Sequence, residues 1–115
     1  MKEIEYSLIV RNKLKKLHKE LIQKYDAKFA KDLLKKITAS VRDLEVFELK
    51  GIAVSDMYDI ECDYRYFYTN HQYIFYRIEK NKIIIVEVFD EREDFMWKLF
   101  QIDTTSQETY LFWKE

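Results

Sequence analysis

Proline is absent from this chain and glycine occurs once, at Gly51. No linker of the usual Pro/Gly composition is therefore present, no domain boundary is marked, and a glycine-rich phosphate loop is excluded. Cysteine is almost as scarce. Cys62 stands alone, which excludes an internal disulfide and a cysteine-based zinc site and suits a reducing cytoplasm. His18 and His71 have no neighbours at metal-ligand spacing, so neither a metal nor a small-molecule cofactor is expected. Ser7, Ser40, Ser55 and Ser106 sit in no nucleophile-elbow context. No apolar run approaches the roughly 20 residues of a membrane span. The opening MKEIEYSLIVRNKLKK lacks a long apolar stretch behind its basic start, so a cytoplasmic, soluble protein without membrane contact is expected.

What the chain does hold is apolar and charged material in abundance. Hydrophobic residues make up 48% of its 115 positions and charged residues 36%, enough for one domain over 1–115 with a solvated exterior. The formal charge of −1 hides a division. Residues 1–42 carry 12 Lys+Arg against 5 Asp+Glu, a net of +7, while residues 43–115 carry 8 against 16, a net of −8. A basic half of this kind is either a surface for nucleic acid or an acidic partner, or a pair of helices solvated by lysine.

The basic half, residues 1–45, reads as a short opening strand followed by two helices. Leu14, Leu17, Leu21 and Ile22 recur at spacings of three and four between Arg11 and Tyr25. Asp26 is a cap, and Ala30, Leu33, Leu34, Ile37, Val41 and Leu44 repeat the pattern from Ala27 to about Glu45, with Lys28, Lys31, Lys35 and Lys36 on the other side. The short connection predicts an antiparallel helical hairpin.

After the Gly51 loop, helical periodicity gives way to strands. Ile60–Thr69, Tyr73–Glu79 and Ile83–Phe89 are rich in aromatic and β-branched residues and are joined by the turns TNHQ and EKNK, placing a sheet over residues 56–89. Ile74, Tyr76 and Ile78 with Ile84, Val86 and Val88 are expected to face the helices. Tyr73, Phe75, Ile85 and Phe89, interrupted by Arg77 and Glu87, would then form a second apolar face. Either the carboxy-terminal part (93–115), with a short helix EDFMWKLF and the terminal YLFW, folds over that face, or a partner does. In DEREDF, residues 90–95, Arg92 lies among acids just past the last strand; charge alone makes this a surface salt-bridge cluster or an acidic helix start.

The order of strand, helical hairpin, Gly-containing loop, YRYFY, QYIFYRIE, KIIIVEVFDERED and terminal helix resembles the RelE/ParE superfamily of toxins from bacterial type II toxin–antitoxin modules, over about Ile4 to Ile102. The resemblance is most specific from Tyr64 to Asp94. Arg65, the YIFYRI of Tyr73–Ile78 and Arg92 stand where that family has its strand arginine, its tyrosine- and arginine-bearing strand and its post-strand arginine. It implies an α+β fold: an N-terminal helical hairpin packed on a twisted antiparallel β-sheet, with a short C-terminal helix. It also implies a growth inhibitor neutralised by a cognate antitoxin.

Two activities occur in the superfamily. Ribosome-dependent mRNA interferases need cations for the scissile phosphate and a general acid or base. Here only Arg92 matches that set, with Arg65 and Arg77 as substitutes, and Tyr64, Tyr66, Tyr68 and Tyr73 occupy the mid-strand positions. The ParE-like branch, which poisons DNA gyrase, is resembled more closely through YIFYRIE. Its action is binding, with Tyr73, Phe75 and Trp97 as aromatic anchors beside Arg65, Arg77 and Arg92. The antitoxin would meet Lys28, Lys31, Lys35 and Lys36 with acidic residues. A family member retaining only the binding function is the third reading.

Overall fold

The computed structural model describes residues 2–57 and 61–93. Strand β1 (Glu3–Tyr6) leads into α1 (Leu8–Lys24) and α2 (Ala27–Arg42), whose end tightens into a 3-10 turn at Asp43–Glu45. There follow β2 (Ile52–Ala53), a single helical turn α3 (Val54–Met57), β3 (Tyr64–Thr69), β4 (Gln72–Ile78) and β5 (Lys82–Asp90). The five strands form one sheet in the order β1-β5-β4-β3-β2.

The two long helices, α1 and α2, each begin at a side-chain cap. Ser7 accepts a hydrogen bond from the Val10 amide at 3.2 Å, so α1 starts three residues earlier than the leucine spacing alone suggests. Asp26 accepts from the Phe29 amide at 2.7 Å and starts α2. Only Tyr25 and Asp26 separate the helices, which forces them antiparallel, as expected. Their apolar faces bury Val10, Ile37, Val41 and Leu44 against Ile74, Tyr76, Ile83, Ile85 and Val88 of the sheet, with Leu14, Leu17, Leu33 and Leu34 packed around them.

The β3–β4 connection is a two-residue turn with both Asn70 and His71 at positive φ (47° and 66°), the twist that matches a tight hairpin. The β4–β5 hairpin closes through a 2.8 Å bond from the Glu79 amide to the Lys82 carbonyl.

Three expectations are corrected. The sheet is mixed, because β1 runs parallel to β5 from Glu3↔Lys82 to Tyr6↔Ile85; α1 and α2 with the strands that follow supply the long crossover that a parallel pair requires. The residues of β5 that face the helices are Ile83, Ile85 and Val88, not Ile84 and Val86. The register passes from Phe75↔Glu87 to Tyr76↔Ile85, leaving Val86 as an extra, bulged residue that reverses the alternation behind it. Finally, the stretch after Gly51, expected as loop up to a sheet beginning at residue 56, forms β2 over 52–53 and α3 over 54–57. Val54 there joins Tyr66, Phe75 and Phe89 in a second cluster on the far face, flanked by Cys62, Tyr64, Tyr73 and Val86. The proposed terminal helix and Trp97 lie outside the described residues.

Candidate interaction surfaces

The three arginines of the sheet half are each committed within the chain. Arg65, on β3 opposite Tyr76, donates from Nε to the Gly51 carbonyl at 3.1 Å and so braces the β2 loop. Arg77 pairs with Tyr64 in the neighbouring strand, hence on the opposite face from Arg65, and binds Glu79 at 2.8 Å; that carboxylate raises its pKa further. Arg92 is highly exposed and binds Asp90 at 2.8 Å, which holds the Asp90 carboxyl below its ordinary pKa. Asp90 stands opposite Gln72, and Arg77 is five residues further along β4, roughly 17 Å away at strand rise. The structure thus distributes Arg65, Arg77 and Arg92 over two faces and both ends of the sheet; it does not bring them together.

Of the expected aromatic anchors, Tyr73 is half-buried beside Tyr66 and Tyr68, with ring centroids at 6.1 and 5.4 Å. Phe75 is a correction. It is fully buried between Tyr66 (5.4 Å, stacked) and Phe89 (5.7 Å, edge-on), a core residue with no surface to offer.

A polar cluster that sequence spacing did not reveal sits at the β3–β4 turn. Tyr68 Oη donates to Glu91 at 2.6 Å, and Nδ1 of His71 lies 2.8 Å from the same carboxylate and 3.3 Å from the tyrosine oxygen. The Tyr68 and His71 hydrogen bonds hold the Glu91 carboxyl below its ordinary pKa, and the same contact pushes the Tyr68 hydroxyl up. Twenty residues separate His71 from Glu91, so only the fold brings them together.

Where β1 ends at Tyr6, the remaining edge of β5 has no neighbouring strand among the described residues, and α1 side chains take its carbonyls. Ser7 Oγ donates to Val86 O at 3.2 Å, and Lys13 Nζ to Val88 O at 3.0 Å. Lys13 also binds Glu87 at 2.6 Å and lies 4.3 Å from the centre of the Phe89 ring. A groove of about 760 Å³ runs along this seam, with Leu14, Leu17 and Gln72 in its walls and Lys16, Glu20 and Arg92 among its charges. Lys13 carries no sequence signal; its role follows from the place where the first strand stops.

The helical hairpin is different. Lys28, Lys31, Lys35 and Lys36 are all exposed on α2, and among the described residues none of them has an ion-pair partner. Lys28, Lys31 and Lys35 fall at spacings of three and four and share one stripe. At the hairpin tip Tyr25 and Phe29 are exposed and in contact, with ring centroids 4.4 Å apart and planes tilted by 34°, and Lys24 lies 5.7 Å from the Tyr25 ring centre. Among the described residues no three of His, Cys, Asp and Glu gather at metal-binding distance.

Residues 4–95 match the ParE toxin of the type II toxin–antitoxin system parDE. The chain belongs to the ParE toxin family. Among solved structures, this ParE-family chain is similar to a chain of the chromosomal ParDE TA system from P. aeruginosa, with a TM-score of 0.66 at 12% identity, covering 78% of this chain and 96% of that one. At that identity the likeness is one of fold. Compared with curated protein sequences, the chain matches none. No helix among the described residues is long and apolar enough to cross a membrane.

Proposed function

We propose that the chain is the toxin of a type II toxin–antitoxin module in the cytoplasm, arresting growth by binding a macromolecular target and held in check by a cognate antitoxin. Family membership over residues 4–95 and the fold shared with a ParDE chain support the module. The single observation that favours binding over RNA cleavage is the dispersal of Arg65, Arg77 and Arg92, each already bonded to a carbonyl or carboxylate of its own chain. Cleavage through a 2′-hydroxyl needs several cations converging on one phosphate. Here the candidate cations lie on different faces, within a half of the chain whose net charge is −8 and whose field repels a phosphate backbone. The exposed tyrosines and apolar residues suit a protein surface instead, and DNA gyrase is the target class that ParE-family membership suggests.

Induced expression without the antitoxin should arrest growth, and purified protein should inhibit gyrase supercoiling. Arrest accompanied by new cleavage ends in translated messages, mapped by primer extension, would replace this reading with the mRNA interferase. Unimpeded growth with intact antitoxin binding would reduce the protein to a binding module.

A further inference from the structure

The loop that carries the chain from α2 to β2 is held at nearly every residue. The Val46 and Phe47 amides donate to the Asp43 carbonyl at 3.1 and 2.8 Å, and the Lys50 amide donates to the Phe47 carbonyl at 3.0 Å. The Glu48 carbonyl accepts from the hydroxyl of buried Tyr76 at 2.7 Å, and the Glu48 carboxylate binds Lys2 at 3.0 Å. Lys50 pairs with Asp43 at 3.8 Å and lies 4.2 Å from the centre of the Phe67 ring. Yet this fixed loop turns its apolar side chains outward: Val46 and Leu49 are each 65% exposed and Phe47 64%. Together they leave roughly 350 Å² of apolar surface in water, the scale at which a monomer's bare patch ordinarily serves a contact. A pinned backbone has little freedom left to lose on docking.

Phe47 stands between two residues, Val46 and Glu48, that line a shallow hollow of about 630 Å³ with Lys2, Glu45, Lys80 and Asn81. Projection and hollow are thus neighbours on one surface. The hollow carries two cations and two carboxylates. Lys2 and Glu48 satisfy each other, whereas Lys80 and Glu45 have no ion-pair partner among the described residues. A surface of one sign, like the lysine stripe of α2, repels its own copy; this balanced one does not. An acidic or a basic partner would find half of the rim opposed to it.

We propose that the loop 46–50 and the hollow beside it form an isologous contact between two copies of this chain, each copy's Phe47 seated in the other's hollow and each copy's Lys80 paired with the other's Glu45. A two-fold axis makes every such contact twice, so a projection beside a hollow is self-complementary. Val46 and the stems of Lys2 and Lys80 receive the ring, and an ammonium group gains from lying over it. A specific interface covers about 800 Å² on each copy; the apolar projection supplies a little under half of that and the mixed rim the remainder, which makes the pairing micromolar. Pairing of copies is independent of what the toxin binds. The 16 residues of α2 carry the hairpin tip about 24 Å from the loop, so the contact leaves the tip unoccupied.

The test is sedimentation velocity of the full chain from about 1 to about 200 μM, a range that spans the dissociation constants of such a contact. The wild type should shift from one copy to two. F47E/L49E should raise the dimer Kd about 30-fold or more, as loss of a hot spot does. K80E and E45K should each raise it about fivefold or more, and an equimolar mixture of the two should pair again near the wild-type Kd, because K80E offers two carboxylates where E45K offers two ammonium groups. K31E, on the outer stripe of α2, should stay within about twofold. Circular dichroism checks that each variant is folded. A wild type that stays a single copy throughout overturns the proposal, and so does a dimer that survives F47E/L49E. If the chain stays single while folded F47E/L49E no longer arrests growth, the loop belongs to the target and the second copy is wrong.

Discussion

The hydroxyl of Tyr76 on β4 accepts a hydrogen bond from the Gly51 amide at 2.9 Å and donates one to the Glu48 carbonyl at 2.7 Å. The only glycine of the chain is thus pressed against a buried tyrosine, and its φ is not positive. Space, not backbone freedom, demands glycine here. A β-carbon would stand 2.6 Å from Tyr76 Oη and 2.9 Å from the Tyr66 carbonyl, closer than such contacts occur. Gly51→Ala should therefore cost about 2–3 kcal/mol by overpacking. Tyr76→Phe, which only removes the shared hydroxyl, should cost about 1 kcal/mol. Urea unfolding followed by circular dichroism measures both.

Lys13 closes the open edge of β5, touching Val88 O, Glu87 and the Phe89 ring at once. Lys13→Ala should lower stability by about 1 kcal/mol, since the carbonyl and the carboxylate can turn to water in part. Lys13→Met keeps the chain packed along Phe89 and should lose less. The difference between the two urea midpoints reads the packing of the lysine stem apart from its charge.

Acid should weaken the fold at the β3–β4 end. Glu91 is held below its ordinary pKa by Tyr68 and His71, and Asp90 by Arg92. A carboxyl depressed in the folded state contributes stability above its unfolded pKa, and that contribution is lost as pH falls through the folded value. The denaturant midpoint should drop between pH 7 and about pH 3. Glu91→Gln should drop less over the same interval, because part of the difference has been removed beforehand.

Under the binding reading, the arginines contribute in graded fashion. Arg65→Ala, Arg77→Ala and Arg92→Ala should each still arrest growth, at a higher inducer concentration than the wild type. A catalytic cation would behave differently, with arrest abolished by one substitution while the protein remains folded and antitoxin-bound. Plating efficiency against inducer concentration separates the two patterns.

The helical hairpin was legible because Leu14, Leu17 and Leu21, and then Ile37, Val41 and Leu44, repeat at helical spacing, and because Asp26 marks a start. The turn at Asn70 and His71 was legible from asparagine. The facing of β5 was not. Ile83, Ile84, Ile85 and Val86 are four apolar residues in a row, so no alternation exists from which to choose a side, and nothing local announces a bulge. The parallel place of β1 was hidden for another reason, as it depends on a pairing nearly eighty residues away in the chain. The Tyr68–His71–Glu91 contacts and the Tyr25–Phe29 ring pair escaped notice, the first because twenty residues separate His71 from Glu91 and the second because the pair spans a helix boundary. Phe75 showed how far pattern alone reaches, since its face was right and its exposure was not.

The surplus residue at Val86 lets one strand serve two interiors, with Ile83 and Ile85 turned to the helices before it and Phe89 turned to the aromatic cluster after it. Threading the same residues through an unbulged ladder would exchange insides for outsides over the last four positions of β5, swinging Val88 away from the helices and Phe89 toward them, whereas deleting Val86 would leave both on their present faces. A stretch that looks like interchangeable isoleucine and valine therefore carries one residue more than its ladder pairs, and that residue is the one whose removal keeps the facing of both interiors.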